Sequence, residues 1–221
     1  MLWKLFIKNS YPVKSINTVL FDFDGVLIDS KPAMKIAWES VRQKFKIPNT
    51  FLQFEENIGL PFQKILINLS IEEKLIDEIT NHYFSKTSQN KDLIKINPHT
   101  RYILKWLKTE KILTGIVTSK DQLRTKELVE KFNINVDVIV TPELTKRGKP
   151  YSDPIVYATK ILNTDIRKSL FIGDMKSDMD CAKNSGCKYL HYINGYGIDN
   201  MISYGGVIDS IFEIKEYIFN I

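Results

Sequence analysis

Five short apolar runs, separated by segments with a helical pattern, constrain the fold of this chain more than any other feature. The runs are NTVLFDF (17–23), LTGIVT (113–118), VDVIVT (136–141), SLFIG (169–173) and YLHYI (189–193). Each is too short for a typical helix and resembles a buried strand in its apolar content. Strands that alternate with helices of about ten residues predict parallel βαβ units. We therefore expect an α/β fold with a doubly wound parallel sheet.

One long segment interrupts this alternation. Between Ser30 and Asn97 lie about 67 residues without a convincing strand, whereas a βα loop usually has about 2 to 6 residues. Helical patterns begin near Pro32 and Ser70, and Ser70 with Glu73 matches a capping box. We predict a core domain formed by residues 1–30 and 97–221 and an inserted helical domain formed by residues 31–96.

Acidic residues follow two of the predicted strands. Asp22 and Asp24 stand at alternate positions after the first strand, and Asp174 follows the run at 169–173. Asp178 comes at the start of the next helix, where it could simply be a helix N-terminal charge, and Asp24 with Gly25 could simply be a turn. If the carboxylates instead meet at one edge of the sheet, oxygen ligands of this kind favour Mg²⁺ over zinc.

Two further segments have the chemistry of an anion site. Thr118 and Ser119 end a strand, so a hydroxyl and the N–H groups of the next helix could bind an anion, although both residues are also ordinary N-caps. Lys149 stands between Gly148 and Pro150 in a rigid turn, and its alternative is a solvated loop lysine. These segments alone leave both interpretations open.

Taken in order, FDFDGVLIDS, IVTSK, GKPYSDP and IGDMKSDMDCAKNSG resemble the four motifs of the haloacid dehalogenase-like hydrolase superfamily. The resemblance extends over about residues 17–195. It implies a Rossmann-like core, and the helical insertion is similar to the cap of the phosphoglycolate phosphatase and beta-phosphoglucomutase-like branch. It also implies Mg²⁺ as the cofactor.

The resemblance assigns a role to each matching residue. Asp22 would be the nucleophile that forms an aspartyl-phosphate, and Asp24 would be the general acid and base. The residues implied in phosphate binding are Gly25, Thr118, Ser119 and Lys149. Those implied in metal binding are Asp22, Asp24 through its backbone carbonyl, Asp174 and Asp178. Asp178 could bind Mg²⁺ directly, bind it through water, or pair with Lys149.

A loop in the helical insertion resembles the substrate loop of the same branch. The loop is NIGLPFQKIL, and its candidates for substrate contact are Gly59, Leu60, Pro61 and Lys64. Leu60 could equally belong to the core of the insertion.

These features predict a Mg²⁺-dependent phosphatase that hydrolyses a small phosphorylated metabolite. The alternative is a beta-phosphoglucomutase-like sugar phosphomutase, since both would use an aspartyl-phosphate. Asp24 argues against a dehalogenase, because a halide leaving group needs no proton. A more remote alternative is a noncatalytic or nucleic-acid-binding protein, which the net charge of +5 allows.

The distribution of charge and apolar residues bears on partners and location. The basic residues are scattered, so we expect no nucleic-acid partner. No run approaches the ~18 apolar residues that would span a bilayer, and Lys4 and Lys8 break the amino-terminal apolar run. We therefore expect a cytoplasmic protein with no signal peptide and no membrane partner. The oligomeric state stays open.

Overall fold

A computed structural model describes residues 16–197 and 204–220 of the chain. The amino-terminal run used to argue against a signal peptide lies outside these residues. In chain order the strands are β1 (Thr18–Phe21), β2 (Ile28–Asp29), β3 (Lys95–Ile96), β4 (Leu113–Val117), β5 (Val138–Val140), β6 (Ser169–Gly173), β7 (Lys188–Tyr192) and β8 (Gly206–Ile208). The α-helices are α1 (Lys31–Phe45), α2 (Phe51–Glu55), α3 (Phe62–Asn68), α4 (Ile76–Gln89), α5 (Thr100–Thr109), α6 (Gln122–Lys131), α7 (Asp153–Ile161), α8 (Lys176–Ser185) and α9 (Ile214–Asn220).

Six strands form one parallel sheet in the order β5-β4-β1-β6-β7-β8. The chain adds β4 and β5 on one side of β1 and then returns to add β6, β7 and β8 on the other. The strand order therefore reverses beside β1, and in such sheets ligands bind outside the carboxyl ends of the strands at this point. The predicted doubly wound α/β fold is confirmed, and β8 is a strand that the apolar runs did not indicate.

The central strand β1 is covered on both faces. Val19 and Phe21 pack into a core cluster with residues of α5 and α9, whereas Leu20 packs on the opposite face with residues of α7 and α8. All three side chains are fully buried. This alternation fixes the orientation of the side chains that directly follow β1. A shift of one residue along the strand would exchange the residues that face the two core clusters.

Residues 31–96, named here the helical segment, contain α1 to α4 and have an apolar core of their own. Trp38 and Tyr83 belong to that core, and α1 packs along α4. The segment begins and ends at a two-stranded antiparallel ribbon in which Ile28 pairs with Ile96 and Asp29 with Lys95. The expectation that the segment lacks a strand is therefore wrong at its last two residues, because strands of two residues leave no apolar run. Its separation as a domain stays a prediction.

The capping box predicted at Ser70 is also wrong. Ser70 has φ 58° and follows the end of α3, and its N–H donates to Ile67 O at 2.9 Å. The N–H of Ile71 donates to Leu66 O at 3.1 Å, which completes a helix-ending motif. Ser70 thus terminates the preceding helix instead of starting the next one. None of the helices in the described residues is long and apolar enough to cross a membrane.

The core of the helical segment gives a stability prediction. Trp38 is fully buried, stacks on Phe54 with ring centroids 4.6 Å apart, and donates its indole N–H to Asn49 O at 3.0 Å. Trp38→Ala should lower the free energy of unfolding by about 3 to 5 kcal/mol in urea denaturation. Leu123→Ala, at a side chain that is 70% exposed, should change it by less than about 0.5 kcal/mol. Equal effects would contradict the packing described.

Candidate active site

Three polar residues each occupy the position directly after a strand. Asp22 follows β1, Thr118 follows β4 and Asp174 follows β6. These three strands are neighbours in the sheet and run parallel, so their carboxyl ends lie at the same edge. All three side chains are buried. The structure therefore brings together Asp22 and Asp174, which are more than 150 positions apart in sequence.

A buried lysine joins two of the acidic residues. Lys149 Nζ lies 2.6 Å from Asp22 Oδ1 and 2.6 Å from Asp178 Oδ1, and its side chain is 1% exposed. Lys149 belongs to the loop that precedes α7. Of the three alternatives for Asp178, the structure supports pairing with Lys149.

The other oxygen of Asp178 accepts backbone hydrogen bonds. Asp178 Oδ2 accepts from the N–H of Asp174 at 3.2 Å and of Met175 at 3.0 Å. Gly173 makes this approach possible, because a Cβ there would lie 2.3 Å from Asp178 Cβ. Asp178 therefore fixes the loop that carries Asp174 as well as the ammonium of Lys149.

Asp24 has a separate set of partners. It lines the same cavity as Asp22, while Phe23 between them is buried in the core. Asp24 Oδ1 accepts a short hydrogen bond from Ser30 Oγ and lies 3.1 Å from Lys120 Nζ. Each of the two aspartates is thus paired with a different ammonium group.

The charge and the donor set of this site fit a divalent cation. Asp22, Asp174 and Asp178 each offer an oxygen, and these atoms lie within 4.8 Å of one another. Asp174 Oδ1 is buried and has no hydrogen-bond partner among the described residues. Including Asp24, four buried carboxylates face two buried ammonium groups, those of Lys149 and Lys120. The formal charge of this set is −2 when all are ionised, and Mg²⁺ prefers such oxygen ligands.

The pKa values of Asp22 and Asp174 reflect their burial first and the neighbouring charges second. Burial raises the pKa of Asp22 to about 7, with Lys149 opposing the rise and Asp178 adding to it. Burial, Asp22 and Asp178 hold the pKa of Asp174 well above its usual range. Burial lowers the pKa of Lys149, but Asp178 and Asp22 outweigh it, so the net pKa is raised and the ammonium stays charged.

The predicted phosphate-binding residues lie around these acids. Thr118 Oγ1 accepts from the N–H of Lys120 at 3.1 Å, and Ser119 Oγ donates to the carbonyl of Gly59 at 2.6 Å. Ser119 therefore connects the sheet edge to the helical segment. Gly25, at φ 92°, packs against the carboxylate of Asp174, where a Cβ would lie 2.3 Å from Oδ2. Its phosphate-binding role stays a prediction.

A cavity of about 50 Å³ lies between the sheet edge and the helical segment. Gly59 and Leu60 line it, and their predicted contact with substrate stays a prediction. Pro61 contacts Gly148 instead, and Lys64 is an exposed residue of α3 outside the lining. The residues of α3 that line the cavity are Phe62 and Ile65, and the contact of Pro61 and Lys64 with substrate stays a prediction.

Sequence reasoning missed several polar residues of this cavity. Lys120 and Arg124 both line it, and the Arg124 guanidinium lies 3.7 Å from the ring centroid of Phe84. Tyr83 also lines it from α4. Lys120 could have been found from its position two residues after Thr118, at the same sheet edge. No sequence pattern indicates that Arg124 and Tyr83 line the cavity, because their positions there depend on how the helical segment packs over α6.

The raised pKa of Asp22 predicts how Mg²⁺ affects stability. The folded protein binds more protons than the unfolded chain between the ordinary value of 3.8 and about 7, so the metal-free protein loses stability as pH rises through this range. Mg²⁺ requires the ionised carboxylate, so the rise in Tm that it causes should grow between pH 4 and pH 7.

Thermal denaturation with Mg²⁺ and with a chelator, over that pH range, measures this effect. Asp174→Asn should abolish most of the Mg²⁺-dependent rise, whereas Asp180→Asn, at a half-buried residue paired with Lys176, should retain it. A rise in Tm that is independent of pH would contradict the assignment.

Comparison with known proteins identifies the family. A model of haloacid dehalogenase-like hydrolases matches residues 19–192. The chain is 31% identical over 180 residues to the "Putative pyrophosphatase PpaX" of Clostridium perfringens, covering 78% of this chain and 82% of that protein. It is 28% identical over 186 residues to the phosphorylated carbohydrates phosphatase of Thermotoga maritima, covering 80% and 84%.

A solved structure agrees with the fold. A hydrolase from Pseudomonas syringae superposes with a TM-score of 0.83 at 22% identity, covering 91% of this chain and 97% of that one. The family model covers all four predicted motifs, and its match confirms the superfamily predicted from them. The acids of these motifs meet at one edge of a doubly wound sheet, and the protein belongs to the haloacid dehalogenase-like hydrolase family.

Proposed function

We propose that the protein is a Mg²⁺-dependent phosphatase that hydrolyses a small phosphate monoester through an aspartyl-phosphate on Asp22. The family and the phosphatase names of its relatives support the class of reaction. The observation that carries the proposal is the separate pairing of two neighbouring aspartates, Asp22 with Lys149 and Asp24 with Ser30 and Lys120. The proposed reaction consists of two successive displacements at phosphorus. It needs a nucleophile and a proton donor next to each other in the site.

In the first step Asp22 acts as the nucleophile. A carboxylate oxygen of Asp22 forms a bond to phosphorus as the bond between phosphorus and the ester oxygen breaks. Asp24, in its protonated form, transfers its proton to that leaving oxygen, which departs as an alcohol. Lys149 balances charge on the Asp22 carboxylate and the phosphoryl group, and Thr118 would hold a phosphoryl oxygen.

In the second step Asp24 reverses its role. The ionised carboxylate accepts a proton from a water molecule, whose oxygen forms a bond to phosphorus as the bond to Asp22 breaks. Inorganic phosphate leaves, and both aspartates return to their starting states. Lys120 and Ser30 hold Asp24 in place in both steps, since both contact Oδ1.

The residues that would hold Mg²⁺ are Asp22, Asp174 and the backbone carbonyl of Asp24, with Asp178 beside them. When bound, the ion supplies positive charge next to the phosphoryl oxygens and keeps Asp22 ionised. The unpaired Asp174 Oδ1 supports this assignment.

We propose that the helical segment is a cap that closes over the substrate. The hydrogen bond from Ser119 Oγ to Gly59 O and the contact of Pro61 with Gly148 link its loop to the sheet edge. The apolar wall of the cavity includes Met34, Leu60 and Phe62, and its small volume favours a compact metabolite. A cytoplasmic location and the absence of nucleic-acid and membrane partners stay predictions.

A panel of phosphate monoesters tests the reaction. With Mg²⁺, the purified protein should release inorganic phosphate from at least one small ester, and Asp22→Asn should lower kcat by about a thousandfold or more, since it removes the nucleophile. Asp180→Asn is the matched control and should keep activity within about threefold.

Two outcomes would contradict the proposal. Full activity in Asp22→Asn would exclude the aspartyl-phosphate. Isomerisation of a sugar phosphate without release of phosphate would identify a phosphomutase instead.

A further inference from the structure

Tyr196 contacts the candidate site with two different groups. It lies in the loop that follows β7, within the sequence Asn194-Gly195-Tyr196-Gly197, and is 5% exposed. Its backbone N–H donates to Asp174 Oδ2 at 2.5 Å. The glycines on both sides allow this approach, since a Cβ at Gly195 would lie 2.2 Å from Asp174 Cβ and one at Gly197 would lie 2.0 Å from Asp174 O.

The hydroxyl of Tyr196 contacts the other side of the site. It accepts the backbone N–H of Ser30 at 2.5 Å and of Lys31 at 3.0 Å, and donates to Asp29 Oδ1 at 3.0 Å. These residues connect β2 to α1, so they lie where the chain passes from the two-stranded ribbon into the helical segment. The Lys31 ammonium lies 4.7 Å from the centroid of the Tyr196 ring and pairs with Glu55 of α2 at 2.6 Å.

The Tyr196 hydroxyl also fixes the position of Ser30. Ser30 is the N-cap residue of α1, a position where a serine hydroxyl usually accepts a hydrogen bond from the first turn of the helix. Here the Ser30 side chain makes no capping bond, and the N–H groups of Ser30 and Lys31 bind the Tyr196 hydroxyl. Ser30 Oγ instead donates to Asp24 Oδ1 and lies 3.4 Å from the Tyr196 hydroxyl, so Tyr196 holds both the backbone and the side chain of Ser30.

We propose that Tyr196 is a positioning residue that sets the place of Asp24 relative to Asp174. Its N–H holds Asp174, and its hydroxyl holds the backbone of Ser30 and Lys31 and thereby places the Ser30 hydroxyl that donates to Asp24. The inference rests on the proposed function, because it assigns Asp24 the role of proton donor to the leaving oxygen. Tyr196 itself does not touch the reacting atoms.

The test compares two esters whose leaving groups differ in their need for a proton. An alkyl phosphate leaves as an alkoxide that must be protonated, whereas p-nitrophenyl phosphate leaves as a stable phenolate. Tyr196→Phe should lower kcat for an alkyl phosphate that the wild-type protein hydrolyses by about 10- to 100-fold, with p-nitrophenyl phosphate changed by less than about threefold. Ser30→Ala should give the same pattern.

Two controls separate positioning from damage to the fold. Tyr204→Phe removes a tyrosine hydroxyl that donates to Cys187 O at 2.8 Å outside the cavity, and should leave both reactions unchanged. Mg²⁺ binding to Tyr196→Phe, measured by calorimetry, should match that of the wild-type protein within about twofold, because the N–H to Asp174 is retained.

Equal losses of kcat for both esters, or no loss for either, would overturn the positioning role. A loss of Mg²⁺ affinity in Tyr196→Phe that accounts for the kinetic change would overturn it too. If the wild-type protein released phosphate from none of the esters, the proposed function would be rejected. The positioning role, which rests on it, would then be rejected as well.

Discussion

The ammonium of Lys149, buried between Asp22 and Asp178, is the interaction on which the rest of the site depends. Each buried ion loses several kcal/mol of hydration, so neither the lysine nor the aspartates would be stable there alone. Asp178 completes the arrangement by accepting the N–H groups of Asp174 and Met175. The ion pair therefore fixes the loop after β6 and orients Asp22 at the same time.

The remaining negative charge of the site favours the binding of a divalent cation. Lys149 and Lys120 compensate two of the four buried carboxylates, and burial leaves Asp22 and Asp174 with raised pKa values. A divalent cation would offset this excess and keep Asp22 ionised. The helical segment contacts this edge of the sheet through the hydrogen bond from Ser119 to Gly59 O and through the hydrogen bonds of Tyr196 with Ser30 and Lys31.

The sheet and the acids at its edge could be predicted from the sequence because both depend on local pattern. A buried strand leaves an apolar run, and Asp22, Thr118 and Asp174 directly follow such runs. The ribbon of β2 and β3 and the strand β8 were missed, because two or three residues are too few for a pattern. Tyr196 and Arg124 were missed for a different reason: their contacts join elements that are distant in sequence, and no spacing encodes them.

Stereochemistry at phosphorus tests the central claim, that Asp22 accepts the phosphoryl group before water does. Two successive in-line displacements, first by Asp22 and then by water, each invert the configuration at phosphorus. Hydrolysis in isotopically labelled water of an ester with a chiral, isotopically labelled phosphate should therefore give phosphate with net retention. Net inversion would mean that water attacks the substrate directly, and it would contradict the nucleophilic role of Asp22.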